Sequence, residues 1–368
     1  MSRAPLPRWV DLGLIPLLNL LMAFVVAGFV IALVGENPIR ALRVMIDGAF
    51  LYPGSLSYTL YYTTNFIFTG LAVAVAFQAR LFNIGGEGQA AMAGLGVALV
   101  CLALDSILPG LIVIPIAIFA AALFGAAWAF LPGFLQATRG SHVVITTIMF
   151  NFIAAGIIVA LLTGALIRPG QSTPQTREFA PDATLPRIHE IGRALGFEMT
   201  STPLNLSIVL AIAACFGVWL LIWRTPFGYR LRTLGESEPA ARYAGVSVPK
   251  MVVLTMCISG ALAGLMAVNE VLGAQEKLVL NFTSGYGFAG IAVALMGRSH
   301  PVGIVLASLL FGALYQGGTE LSMEFSNINR EMVLVIQGLI ILFSGALAYM
   351  LEAPLSRVFG RRAAPQAA

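Results

Sequence analysis

The sequence predicts an all-α polytopic membrane protein of about ten transmembrane helices, forming one transmembrane domain over residues 1–368. Three observations predict it. Hydrophobic residues make up 58% of the chain and charged residues only 10%, where a soluble domain has about a quarter charged. The apolar runs have the length of membrane helices, roughly 20 residues, rather than the short alternating pattern of barrel strands. The charges fall between those runs, and the basic ones gather on one set of loops.

The first span, 13–35, follows Arg3 and Arg8. Its apolar core runs on without a small-residue cleavage site, so it reads as a retained helix rather than a signal peptide. Further spans lie at 56–78, 87–104, 110–131, 143–166, 205–223, 251–272, 286–297, 302–318 and 332–351. The span at 286–297 is too short to cross a core of about 30 Å unaided. It is expected to join non-helical backbone around Asn281–Gly285, which must be buried in protein or line a cavity. Ten spans put both termini on one side. If that side is the cytoplasm, the inner segments hold 13 of the 21 basic residues, as the positive-inside rule requires. The net charge of +4 is then an orientation signal rather than a mark of nucleic acid binding.

Residues 168–203 form the longest external loop, with room for a small folded element, and 352–368 form a cytoplasmic tail expected to be disordered. Cys101, Cys215 and Cys257 each stand alone in a span, which offers neither disulfide framework nor metal spacing. Gly260 and Gly264 make a small-xxx-small face that lets helix backbones approach. Two glycine-rich segments, Asn83–Gly96 and Ser284–Gly297, suggest a weak two-fold repeat.

The most distinctive stretch is the polar island at 224–250, with Arg224, Arg230, Arg232, Arg242 and Lys250 against Glu236 and Glu238. Within this cytoplasmic loop Ser237–Tyr243 predicts a short helix, capped by Ser237, with Pro239 in its first turn and Gly245 closing it. Such a helix suits docking of a soluble partner. A second unusual segment, LFNIGGEGQ at 81–89, packs Asn83, Glu87 and Gln89 among glycines directly before an apolar run. It reads either as an elaborate helix cap or as part of a translocation path. Asn65, Asn151 and Asn269, the last beside Glu270, interrupt apolar faces. Buried amides of this kind line a path for a polar, uncharged solute or bond helix to helix.

An enzyme reading finds no support, because HExxH, GxSxG and paired intramembrane acids are all missing from the sequence. There is no Gly-Lys-Ser/Thr phosphate loop either, so ATP-driven transport would need an ATPase on another chain. The competing reading is an ion-coupled secondary transporter.

LFNIGGEGQ, GYRLRTLGESEPAARYAGVSV, SGALAGLMA and GYGFAGIAVALMGRSHPVGIVLASLLFGAL occur in that order. Together they resemble permease subunits of ABC importers for simple sugars, nucleosides and branched-chain amino acids. The likeness runs from about Tyr58 to Met350 and is nearest the nucleoside and simple-sugar branch, with a branched-chain amino acid permease as the alternative. It implies a type II-like importer permease architecture in a bacterial inner membrane. It further implies a coupling helix at Gly235–Gly245, with Gly235, Glu236, Ser237, Pro239, Ala240, Ala241, Arg242 and Gly245 in contact with an ATPase subunit. The implied partners are that ATPase, a second and different permease, and an extracytoplasmic solute-binding protein. ATP and Mg would sit on the ATPase, leaving this chain without a cofactor or metal.

Overall fold

In the computed structural model, residues 14–339 are described except 169 and 330, together with residues 7, 10 and 342. The predicted tail at 352–368, most of the span at 332–351, and Arg3 and Arg8 lie outside the described residues. Two compact units emerge, Pro53–Ala313 and Met1–Tyr52 with Leu314–Ala368.

The larger unit is built from α3 (Ser55–Gln78), α4 (Gly86–Leu104), α5 (Gly110–Arg139), α6 (Val143–Thr163), α7 (Ile188–Ala194), α8 (Ser207–Arg224), α9 (Pro226–Glu236), α10 (Glu238–Tyr243), α11 (Val248–Gly264), a π-helix (Val268–Ala274), α12 (Tyr286–Met296) and the first half of α13 (Pro301–Glu324). Across the described residues seven helices are long and apolar enough to cross a membrane, or eight if one bent pair counts as a span. The predicted spans from 56–78 to 205–223 match α3, α4, α5, α6 and α8 closely. In α5 the helix continues through Pro132 to Arg139, where Gly140 at φ +65° ends it.

α3 is the central helix, with most of its length buried. α11 packs against α5 through glycine. A Cβ on Gly260 would strike the Gly125 carbonyl, and one on Gly264 would strike the Ala121 carbonyl and come 2.9 Å from the Ala93 side chain. The small-xxx-small face is therefore a backbone-to-backbone contact.

The eighth predicted span is the 11-residue α12, about 16 Å long. Before it the chain turns through positive φ at Glu276, Asn281, Ser284 and Gly285, where the sequence required non-helical backbone. The loop at 168–203 straps this break. Thr176 N donates to Leu278 O at 3.1 Å, Phe179 N to Glu276 O at 2.8 Å, and Arg187 pairs with Glu276 at 2.7 Å. The loop is anchored at its other side by Asp105, whose side chain is 1% exposed and meets Arg177 at 2.7 Å. That guanidinium holds the Asp105 carboxyl below the usual carboxylate range.

In the smaller unit, α1 (Ile15–Leu33) is followed by α2 (Pro38–Phe50). The axis turns 119° between Leu21–Leu33 and α2. Asn37 caps α2 by accepting from Ile39 N at 2.9 Å, and Pro38 fits the first turn. Arg40 pairs with Glu324 at 2.7 Å, and Gln337 donates to Leu314 O at 3.1 Å.

Candidate docking element and polar network

The polar island folds as two helices rather than one. Thr225 caps α9 through Gly228 N at 3.1 Å, with Pro226 in the first turn. α9 was not anticipated; α10 was. Ser237 accepts from Ala240 N at 3.4 Å, Pro239 lies in the first turn, and Gly245 takes φ +76°. Val246 N then returns to Ala241 O and Gly245 N to Arg242 O, both at 3.0 Å, the reciprocal closure that left-handed glycine permits. Glu238 and Arg242 form an exposed i,i+4 pair at 2.6 Å.

The helix has an inner and an outer face. Ala241 has no exposed surface and joins a core of Ala76 of α3, Ala79 just beyond it, Leu81, Val143 of α6, Leu231 and Leu234 of α9, and Val248, Met251, Val252 and Met256 of α11. Gly235 is buried against the end of α3, where a Cβ would strike the Gln78 carbonyl. Glu236, Ser237, Pro239, Ala240, Arg242 and Gly245 are exposed, and Tyr243 is 97% exposed. A cavity of about 550 Å³ beside α10 is lined by Arg80, Gln136, Glu236, Glu238 and Arg242, among others. α10 is therefore joined to α3, α6, α9 and α11 by one apolar core.

The glycine turn at 81–89 sits directly above that core. Asn83 accepts from Gly85 N at 2.8 Å, exchanges hydrogen bonds with Gln89 at 3.0 and 3.1 Å, and donates to Ser259 Oγ of α11 at 2.8 Å. Asn151 of α6 accepts from Gly88 N and donates to Ile84 O, both at 2.9 Å. Glu87 reaches across to α12: Oε1 accepts from Gly285 N and Oε2 from Gly287 N, each at 2.9 Å. α4 and α12 thus start head to head. Gly287 has no room for a side chain, because its Cβ would overlap the Glu87 backbone. One carboxylate is shared between two positive helix ends, which stabilises it at depth.

Asn65 and Asn269 meet in a second network. Asn269 donates to Asn65 Oδ1 at 2.8 Å and accepts from Ser207 Oγ at 2.7 Å and Asn205 Nδ2 at 3.0 Å. Glu270 accepts from Asn65 at 2.5 Å and from the Tyr61 hydroxyl at 2.6 Å. All six side chains are buried, so α3, α8 and the π-helix are bonded together by amides that have found partners.

A family model for the branched-chain amino acid transport system / permease component matches residues 55–345. The chain belongs to this permease family. The permease is 34% identical to the guanosine ABC transporter permease protein of Bacillus subtilis, over 90% of this chain and 92% of that one. It is 32% identical to the glucose ABC transporter permease protein of Haloferax volcanii, over 93% and 89%. It is 31% identical to the nucleoside ABC transporter permease protein NupB of Lactococcus lactis, over 94% and 93%. The same Lactococcus strain carries a second nucleoside permease, NupC, 29% identical over 69% of this chain.

Of the residues singled out in the sequence, the structure of the permease gathers those at 235–245 on one surface element and Asn83, Glu87, Gln89 and Asn151 around one turn. It places Asn65 and Asn269 together elsewhere. Glu238 and Tyr243 stand on the exposed face of α10 and were not among the residues expected to contact an ATPase. The i,i+4 spacing of Glu238 and Arg242 was the signal available for the first, and the helix face shared with Ala240 for the second.

Proposed function

We propose that this permease is one membrane half of an ATP-driven importer for a nucleoside or simple sugar, with α10 as the element that docks on a separate ATPase. The observation that carries this reading is the two-sided construction of α10, an exposed face of Glu238, Pro239, Ala240, Arg242 and Tyr243 on a helix whose other side, at Ala241, is keyed into the bundle core. A structural loop does not need an exposed tyrosine and an alanine-lined outer face held by three separate capping devices. The solute class is supported by the guanosine, nucleoside and glucose permeases that match over nearly their whole length.

In this reading α10 faces the cytoplasm, both termini lie on that side, and the loop at 168–203 faces outward toward a solute-binding protein. ATP and Mg are held by the ATPase, and hydrolysis occurs there. Movement of the ATPases displaces α10, and the core around Ala241 carries that displacement into α3, α6 and α11. Ser259 of α11 and Asn151 of α6 both bond the turn at 81–89, so the start of α4 is linked to the docking element. The second membrane half is assigned to a different permease, a heterodimer, as the coexistence of NupB and NupC in one strain suggests. Asn65 and Asn269 serve here as helix-to-helix bonds, and Asn83 and Gln89 as the frame of the turn.

The test is replacement of an outer-face residue. Ala240→Glu is expected to leave membrane insertion and protein yield unchanged while co-purification of a Walker-motif ATPase and ATP-dependent uptake are lost. Uptake that persists after ATP depletion and collapses with an ion uncoupler would contradict the reading in favour of a secondary transporter.

A further inference from the structure

A cavity of about 120 Å³ opens beside the start of α4, with Glu87, Asn151, Asn281 and Thr283 as polar lining and Ala155, Ile158 and Val159 of α6 as apolar lining. Asn151 and Val159 lie about 12 and 24 Å along a helix of about 31 Å, so the cavity sits at mid-membrane depth. The lining reaches the surface along α6: Ala155 and Val159 are exposed, and nothing lies within 4 Å of a Cβ placed on the neighbouring Gly156. A carboxylate beside an opening at that depth is better matched to water or protein than to lipid.

The hydrogen bonds decide what the cavity offers. The amides of Gly285 and Gly287 are spent on Glu87. A carboxylate has about four acceptor sites, so Glu87, which lines the cavity, retains acceptor capacity after those two bonds. It suits solute hydroxyl donors, whereas a phosphate or carboxylate would meet acceptor oxygens. The two helix ends offset much of the charge at long range, yet at contact Glu87 is the one charged side chain of the lining, beside amides and a hydroxyl that either donate or accept.

We propose that this cavity is a mid-membrane stretch of the permease's solute path that admits neutral, hydroxyl-bearing solutes and rejects anions. The inference rests on the importer reading above and deepens it. It separates ribosides and sugars from nucleotides and from the carboxylate of amino acids at the level of the permease itself.

The test uses the assembled importer in permeabilised membrane vesicles, with Cys101, Cys215 and Cys257 replaced and a single Ala155→Cys introduced. A cationic and an anionic methanethiosulfonate reagent are compared, with Leu195→Cys on the outer loop, 71% exposed in the native chain, as the reference site. Both reagents are expected to modify position 155, the cationic one roughly fivefold faster than at the reference ratio. Glu87→Gln should remove that preference while labelling continues. Asn281→Asp, which leaves the α12 cap untouched, should increase it and serves if the Gln variant does not fold. No modification at 155 would overturn the proposal by placing it in lipid, and a charge preference indifferent to both substitutions would overturn the role of Glu87. Labelling needs no transport, so failure of the importer reading shows separately, as uptake that does not depend on ATP.

Discussion

Tyr243 is 97% exposed, whereas Ala241, two residues earlier on the same short helix, has no exposed surface. That contrast makes opposite substitutions informative. Tyr243→Ala removes no internal contact, so thermal stability should stay within about 0.5 kcal/mol while ATPase co-purification falls; a pull-down paired with a melting curve checks both. Ala241→Glu should instead lower the amount of folded protein, because it places an unpaired charge in the core of α3, α9 and α11. Asn269→Ala leaves Ser207, Asn205 and Asn65 each short of a partner, at about 1–3 kcal/mol per group. Its expected effect is a lower level of folded protein with unchanged solute preference, read by quantitative immunoblot beside competition uptake; a shifted preference at normal protein level would show that Asn269 contacts solute. Asp105 adds a pH dependence. Its folded-state pKa is depressed by Arg177, so its contribution is present above the unfolded value near about 3.9 and is lost as pH falls through the lower folded value. Limited proteolysis of the loop at 168–203 should therefore be unchanged from neutral pH to pH 5 and accelerate below about 4.

At the scale of elements, the helices most legible in the sequence were those whose signal is local. Apolar runs marked α3, α4, α6, α8 and α13 to within a few residues, except where α13 continues to Glu324. Ser237, Pro239 and Gly245 marked the start, first turn and end of α10. What was not legible depended on tertiary structure or on amphipathic balance. α2 carries Arg40, Arg43 and Asp47 within 13 residues, too polar for a span, although Asn37-Pro38 is a readable start signal. The π-helix at Val268–Ala274 looks in sequence like a continuation of α11. The bond from Glu87 to Gly285 and Gly287 joins positions 198 and 200 residues apart, beyond any local pattern, although glycines had flagged both ends. The packing of α11 on α5 yields its own prediction. Gly260→Leu should destabilise by about 1–3 kcal/mol or more through overpacking, seen as a lower aggregation temperature in detergent. An unchanged temperature would mean that the two backbones are not in contact at that glycine.

Across the whole molecule, the larger unit forms a chain of contacts from the exposed face of α10, through the Ala241 core, to the turn at 81–89 and the start of α12. The sequence pointed to the two ends of that chain but not to its middle, because Leu81, Val143, Leu231 and Met256 are indistinguishable from other apolar residues until they pack. The central claim is that α10 is the contact with the ATPase. The most direct measurement places a photocrosslinking residue at 240 or 243 in native membranes and, as control, at 195 on the loop at 168–203. A crosslink from 240 and 243, absent from 195, to a subunit bearing a Walker motif is the expected result. Intact ATP-dependent uptake with no crosslink to that subunit from either α10 position would contradict it.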